Sequence, residues 1–177
     1  MTSEYDIRLA VAADFSAIRS FYNQLIDDML SWKHHPMWDK EGHPSDAYLQ
    51  AAVDAGQLWV ACVAGEVVAA LIVNHDANEG YFSTPWKVSA AAGEFSVVHA
   101  FGVSTRHQGR GLGTAMMQGV IDRARAAGEK AVRLDVIDLN LPAARAYTRL
   151  GFYKCAEIRL YYPEVGWQLF HMYEYAL

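Results

Sequence analysis

Apolar residues recur along this chain in two distinct periods, and the switches between them mark out its elements. Ile7 to Ala10 is a short apolar run that predicts a first strand. Asp14 then offers an N-cap to a helix on which Ile18, Tyr22, Leu25 and Met29 fall on one face. Helical spacing fails from Ser31 to Pro44. That stretch carries Trp32, His34, His35, Pro36, Trp38 and His43, so a loop with large side chains is expected. Ser45 or Asp46 restarts a helix through Tyr48, Leu49 and Val53, ending at Gly56. Leu58 to Ala64 and Val67 to Asn74 are nearly continuous apolar runs joined by Gly65-Glu66, which predicts a hairpin of buried strands.

Residues 75–94 are poorly periodic, and a connection of that length in a compact domain is often functional. Phe95 to Val103 predicts a strand, followed by a glycine-rich turn and a helix from about Gly111 to Ala127. On that helix Leu112, Met116, Val120 and Ala124 form the buried stripe, while Asp122, Arg123 and Arg125 face water. Gly128 suits its end. Ala131 to Ile137 is a further strand, and Pro142 suits the opening of a helix that ends at Gly151. Phe152 to Tyr162 and Gln168 to Tyr175 close the chain as two strands around Pro163 to Gly166. There are no internal repeats and no low-complexity tract. A strand, two helices, three strands, a helix, a strand, a helix and two strands predict an α/β domain with a mixed sheet.

Composition narrows the class. The 177 residues suit one domain spanning 1–177, and a chain of this length buries roughly 70% of its unfolded surface without needing a disulfide or a metal. With 53% hydrophobic and 20% charged residues, disorder is expected nowhere beyond Met1 to Glu4. A net charge of −5 and the lack of any Lys/Arg block exclude non-specific nucleic-acid binding, which depends on neutralising phosphates. Leu58 to Val73 is the longest apolar stretch, and Gly65-Glu66 breaks it well short of a membrane span. The start, with Glu4, Asp6 and Arg8, does not resemble a signal peptide, so a soluble cytoplasmic protein is expected. Cys62 and Cys155 sit in apolar, strand-like runs and read as buried free thiols.

The candidate chemistry begins at Gln108-Gly109-Arg110-Gly111-Leu112-Gly113-Thr114, between a strand and a helix. A helix N-terminus carries amides without intrahelical partners and a partial positive charge, and glycines let an anion approach the backbone. Each amide bond to a charged oxygen contributes about 1.5–3 kcal/mol, so three or four would hold a pyrophosphate without a lysine. A P-loop would need Lys-Ser or Lys-Thr closing the turn, and neither pair is present. A dinucleotide fingerprint would need a third glycine or alanine where Thr114 stands, and would follow the domain's first strand.

The remaining spacing, Gln-x-x-Gly-x-Gly after a strand ending in Val103, resembles the acyl-CoA motif of the GNAT superfamily of N-acetyltransferases. Downstream, Asn140, Ala143, Tyr147 and Gly151-Phe152 are similar to the superfamily's second motif, and the resemblance covers nearly the whole chain. One departure is Thr105, where a proline is frequent in the family. The resemblance implies a mixed, mostly antiparallel sheet flanked by helices, with Phe95 to Val103 and Ala131 to Ile137 parallel and splayed. It implies acetyl-CoA as co-substrate, its pantetheine against backbone around Phe101, Gly102 and Val103, its pyrophosphate on Gln108 to Thr114, and Asn140 and Tyr147 meeting it from the next unit. Homodimers are common in the family.

Acetyl transfer to an amine requires a neutral nucleophile, a stabilised oxyanion and a protonated leaving thiolate. A free alkylamine, with a pKa of about 10.4, is almost wholly protonated at neutral pH, so a base matters. The resemblance places the Tyr147 hydroxyl near the thioester sulfur, as the acid. His99 lies four residues before Val103, where many relatives carry a glutamate. It reads either as a base with a pKa near 6.5 or as a core histidine bonded to a carbonyl. Strand alternation puts His99, Phe101 and Val103 on one face. Asp135 is the rival base, or a structural acid. His34, His35 and His43 form no tetrahedral ligand set with any cysteine or acid, so no metal is expected. Trp32, Trp38, Tyr81, Trp86, Tyr161 and Tyr162 read either as core or as walls of an acceptor pocket, which the resemblance places beside the loop after the first helix and the final hairpin. Asp27, Asp28, Asp39 or Glu41 in that pocket would favour a cationic amine. These readings give an acetyl-CoA-dependent N-acetyltransferase acting on a primary amine, a small molecule in preference to a protein. The alternative is a non-catalytic acyl-CoA sensor of the same fold.

Overall fold

Every apolar run read as a strand forms one. The computed structural model describes residues 5–177, so the expectation for Met1 to Glu4 lies outside the described residues. The strands are β1 (Asp6–Leu9), β2 (Leu58–Val63), β3 (Glu66–Asn74), β4 (Phe95–Val103), β5 (Ala131–Ile137), β6 (Tyr153–Tyr162) and β7 (Gly166–Ala176). The helices are α1 (Phe15–Met29), α2 (Asp46–Asp54), α3 (Gly80–Ser83), α4 (Leu112–Ala126) and α5 (Leu141–Arg149). The strands form one mixed sheet in the order β1-β2-β3-β4-β5-β7-β6. β4 and β5 are parallel, whereas β1–β2, β2–β3, β5–β7 and β6–β7 are antiparallel. The parallel ladder runs from Phe95↔Ala131 to Val97↔Arg133 and stops there.

The β2–β3 turn is displaced by one residue from the predicted Gly65-Glu66. Its central pair is Ala64 and Gly65, with φ of 49° and 83°, and Glu66 already pairs with Val63. Two successive positive φ values match the twist of the flanking strands, which outweighs the alanine's discomfort.

The chain resolves into two compact units. The first runs to Trp32 and includes Trp38–Val73 and His99–Met117. Its core packs Ile18, Tyr22, Leu25 and Met29 of α1 against Leu49 and Val53 of α2 and Val60 and Ile72 of the hairpin. Trp32 and Trp38 of the loop read from Ser31 to Pro44 pack against this core as half-buried covers. Ser45 caps α2, its Oγ accepting from the Tyr48 amide at 3.2 Å.

Asp14 departs from its predicted role. A 3₁₀ turn, Ala12–Asp14, precedes α1, and the Asp14 side chain reaches backward rather than capping α1. It accepts from the Val11 amide at 2.8 Å and takes the Arg8 guanidinium on both oxygens, at 2.7 and 2.9 Å. The Arg8 hydrogen bonds hold the Asp14 carboxyl down at about 2. A depressed folded-state pKa contributes stability above the unfolded value that is lost as pH falls through the folded one. Asp14→Asn should therefore flatten the fall of the urea midpoint between about pH 4 and pH 2 relative to the parent.

The second unit comprises Lys33–Met37, Asn74–Val98 and Gln118–Leu177. Tyr81, Phe95, Val97, Ala131, Ile137, Leu160, Phe170 and Met172 form its core. The weakly periodic segment 75–94 is held there by one buried ion pair. Arg133 Nε donates to Glu174 at 2.9 Å, with both side chains almost fully buried, and the guanidinium stacks on Phe95 and Trp86. Glu174 also accepts from the Lys87 and Val88 amides and from the Tyr153 hydroxyl. Cys155 on β6 is half-buried rather than buried, since its strand lies at the end of the sheet order; Cys62 is buried, and both are free thiols. The predicted stripe of α4 is buried as expected, and Asp122, Arg123 and Arg125 are exposed.

Candidate active site

In the first unit the glycine turn is built against the end of β4. Gly109 and Gly111 have φ of +74° and +82°, a conformation that disfavours any side chain, and a Cβ at either would meet nothing within 4 Å. The backbone there is both left-handed and open on its outer side. Helical hydrogen bonding in α4 begins with the Ala115 amide donating to Gly111 O at 3.0 Å, so the amides of Leu112, Gly113 and Thr114 have no intrahelical acceptor. Gln108, Arg110 and Thr114 are exposed around this turn. The Leu112 side chain is a core anchor, buried at 1% exposure, which leaves its backbone as the part that can meet a ligand.

β4 supplies the other wall. A Cβ on Gly113 would sit 3.6 Å from Phe101 Cζ and 3.7 Å from Val103 Cγ2, so these two side chains face the first turn of α4. Gln108 Nε2 donates to Val103 O at 3.0 Å, closing the turn. A Cβ on Gly102 would lie only 2.5 Å from Leu25 Cδ2, with Phe21 next at 3.5 Å, so that glycine is required by α1. Half-buried His99, Phe101 and Val103 alternate with buried Ala100 and Gly102, as a period of two predicts. Ala100 nevertheless has φ of 48°, an uncommon state for a residue with a side chain, and its carbonyl accepts from the buried Tyr22 hydroxyl at 2.7 Å. Nothing in the local sequence announced this feature.

The second unit carries the other candidates. Asn140 is the N-cap of α5, its Oδ1 accepting from the Ala143 amide at 3.4 Å. Pro142 lies in the first turn of that helix, as predicted. Tyr147 is buried, with its ring centroid 5.8 Å from Phe152 and 6.5 Å from Tyr173. Burial first, and the Asp135 charge after it, push its phenol well above the ordinary value. Asp135 Oδ2 accepts from the Tyr81 hydroxyl at 2.7 Å and the Tyr162 hydroxyl at 2.9 Å. Tyr81 and Tyr162 had been read as pocket aromatics. Their convergence on Asp135 was not foreseen, although strand alternation already puts Asp135 on the face of β5 that carries Arg133.

Other expectations are redirected. Lys40 pairs with Asp27 at 2.6 Å, Asp28 accepts from Thr105 and Gln24, and Asp39 accepts from the Glu41 amide, so these three acids are engaged locally. His35 Nδ1 accepts from the Met37 amide, and no group of three metal-ligating side chains occurs among the described residues. Tyr161 and Trp167 are exposed and stack with centroids 5.7 Å apart, next to the β6–β7 turn. No helix among the described residues is long and apolar enough to cross a membrane.

A strand that ends in a glycine-rich helix start, in a mixed sheet with a parallel pair, makes this an α/β fold with an anion-ready helix N-terminus. The sequence matches the acetyltransferase (GNAT) family over residues 18–152, and the chain belongs to that family. A 53-residue segment is 40% identical to the streptothricin acetyltransferase of Streptomyces lavendulae, spanning 30% of this chain and 28% of that protein. A GNAT-family acetyltransferase structure from Streptococcus agalactiae superposes with a TM-score of 0.81 at 18% identity, covering 98% of this chain and 95% of that one. An acetyltransferase structure from Salmonella typhimurium, solved with its cofactor acetyl-CoA, gives a TM-score of 0.66 at 21% identity, covering 99% and 95%. At these identities the structural likeness is one of fold.

Proposed function

We propose that this chain, acting as a single N-acetyltransferase domain, moves the acetyl group of acetyl-CoA to a primary amine of a small molecule by direct attack in a ternary complex. The observation that carries this reading is the left-handed, open backbone at Gly109 and Gly111 leading into α4, within a chain of the acetyltransferase family. Gln108 to Thr114 would hold the pyrophosphate through backbone amides, and the backbone of Phe101, Gly102 and Val103 would meet the pantetheine. Asn140 and Tyr147 would meet the cofactor from α5. The amine nitrogen bonds to the carbonyl carbon, the carbon–sulfur bond breaks, Tyr147 gives its proton to the leaving sulfur, and His99 takes the proton that the amine loses. Neither Cys62 nor Cys155 lies in either motif, so no covalent acyl-enzyme is invoked. The partial match to an enzyme named for streptothricin supports a small-molecule acceptor.

The test is thiol release from acetyl-CoA across polyamines, amino acids, aminoglycosides and peptide N-termini. Turnover with a small amine supports the reading. Tight coenzyme A binding with no thiol release from any acceptor overturns it in favour of an acyl-CoA sensor. Within the same assay, His99→Ala should abolish the acidic limb of the pH–rate profile, because the base protonates as pH falls. An unchanged limb would remove His99 from the proton path.

A further inference from the structure

Among the described residues Asp135 has no Lys, Arg or His partner at ion-pair distance. It lies in the middle of β5, half-buried, and its Oδ2 is held by the Tyr81 and Tyr162 hydroxyls at 2.7 and 2.9 Å. Arg133, two residues earlier on the same strand face, is not its counter-ion. That guanidinium is bound by Glu174 at 2.9 Å and stacked on Phe95 and Trp86. Phenol hydroxyls stabilise a carboxylate by hydrogen bonding but leave its charge in place. A half-buried carboxylate with no cation beside it is costly, and an ammonium group would offset that cost. The proposed acid lies in the same unit: burial first, and the Asp135 charge after it, raise the Tyr147 phenol.

We infer that Asp135, gripped by Tyr81 and Tyr162, is the acceptor-recognition carboxylate: it binds one protonated amine of an acceptor that carries at least two, while another amine of the same molecule receives the acetyl group. This rests on the acetyltransferase reading above. An anchor fits the chemistry better than a base. Moving a proton from an alkylammonium to a carboxylate is uphill, because an amine holds its proton far more tightly than a carboxylate does. Holding the ammonium costs nothing of that kind. With Oδ2 taken by two donors, Oδ1 is left to receive it.

The experiment compares a linear diamine with a monoamine of the same chain length, in the full-length protein with acetyl-CoA. The parent should prefer the diamine in kcat/KM by about ten- to a hundred-fold, the range of a charge-assisted hydrogen bond. In Asp135→Asn that ratio should fall toward one, with the loss in the KM for the diamine. Tyr162→Phe, which keeps the ring and the carboxylate, should reduce the ratio partway and covers the case in which Asp135→Asn fails to fold. An unchanged ratio in the folded variants overturns the inference, as does an equal loss of kcat with both amines, which would make Asp135 a base. If neither amine is acetylated by the parent, the proposed function fails instead. Calorimetric binding of the diamine to the coenzyme A complex, weakened by Asp135→Asn or not, then decides the inference alone.

Discussion

Replacing Tyr147 with phenylalanine is expected to lower turnover about 10²- to 10⁴-fold while changing acetyl-CoA affinity less than about threefold. The ring would stay packed against Phe152 and Tyr173, so the change is confined to the hydroxyl and what it binds. Burial of the side chain makes replacement of that oxygen by water difficult. The same burial, together with Asp135, holds the phenol's proton more tightly than usual. On the proposed mechanism, a tyrosine of this kind would not protonate a thiolate of pKa about 8.5 in a separate equilibrium step, and donation would accompany cleavage of the carbon–sulfur bond. It also stays protonated across the working range, and no alkaline limb should come from it below about pH 10. Thiol-release rates beside calorimetric acetyl-CoA binding check this. Equal turnover in the variant would remove Tyr147 from the mechanism.

The largest effect on stability is expected at Glu174. Glu174→Gln keeps the shape but removes the charge facing Arg133, whose side chain is 2% exposed. Breaking a buried pair from one side costs about 3–5 kcal/mol, because the partner's charge stays buried. For a chain of this length that is a fall in Tm of about 6–20 °C. Calorimetric melting of parent and variant decides it; a shift below about 2 °C would show that the pair contributes little. The consequence extends beyond stability. Glu174 also binds the Lys87 and Val88 amides, and it thereby fixes the segment that delivers Tyr81 to Asp135.

Local order was legible in the residues themselves. β4 and β5 begin and end at the predicted residues, because strand alternation and turn-forming neighbours act over a few positions. The glycine turn was equally legible, since Gly109 and Gly111 adopt a backbone state that other residues avoid. Asp14 is a good N-cap type, but Arg8 across the turn offers a bidentate charged partner, and that interaction wins over capping.

What the sequence determined by itself is therefore the element order, the anion-ready helix start and the acetyltransferase family. Tertiary structure decided which charges are satisfied and which are not. Arg133 and Glu174 meet across 41 positions, and Asp135 gathers Tyr81 and Tyr162 from 54 and 27 positions away. The left-handed Ala100 is likewise supported by Tyr22 from 78 positions away. Such partners are selected by sheet register and by the path of the 75–94 segment, not by spacing along the chain. The glycine-rich helix start could thus be read from a motif, whereas the Asp135 assembly, to which we assign acceptor recognition, became visible only when distant strands were brought together.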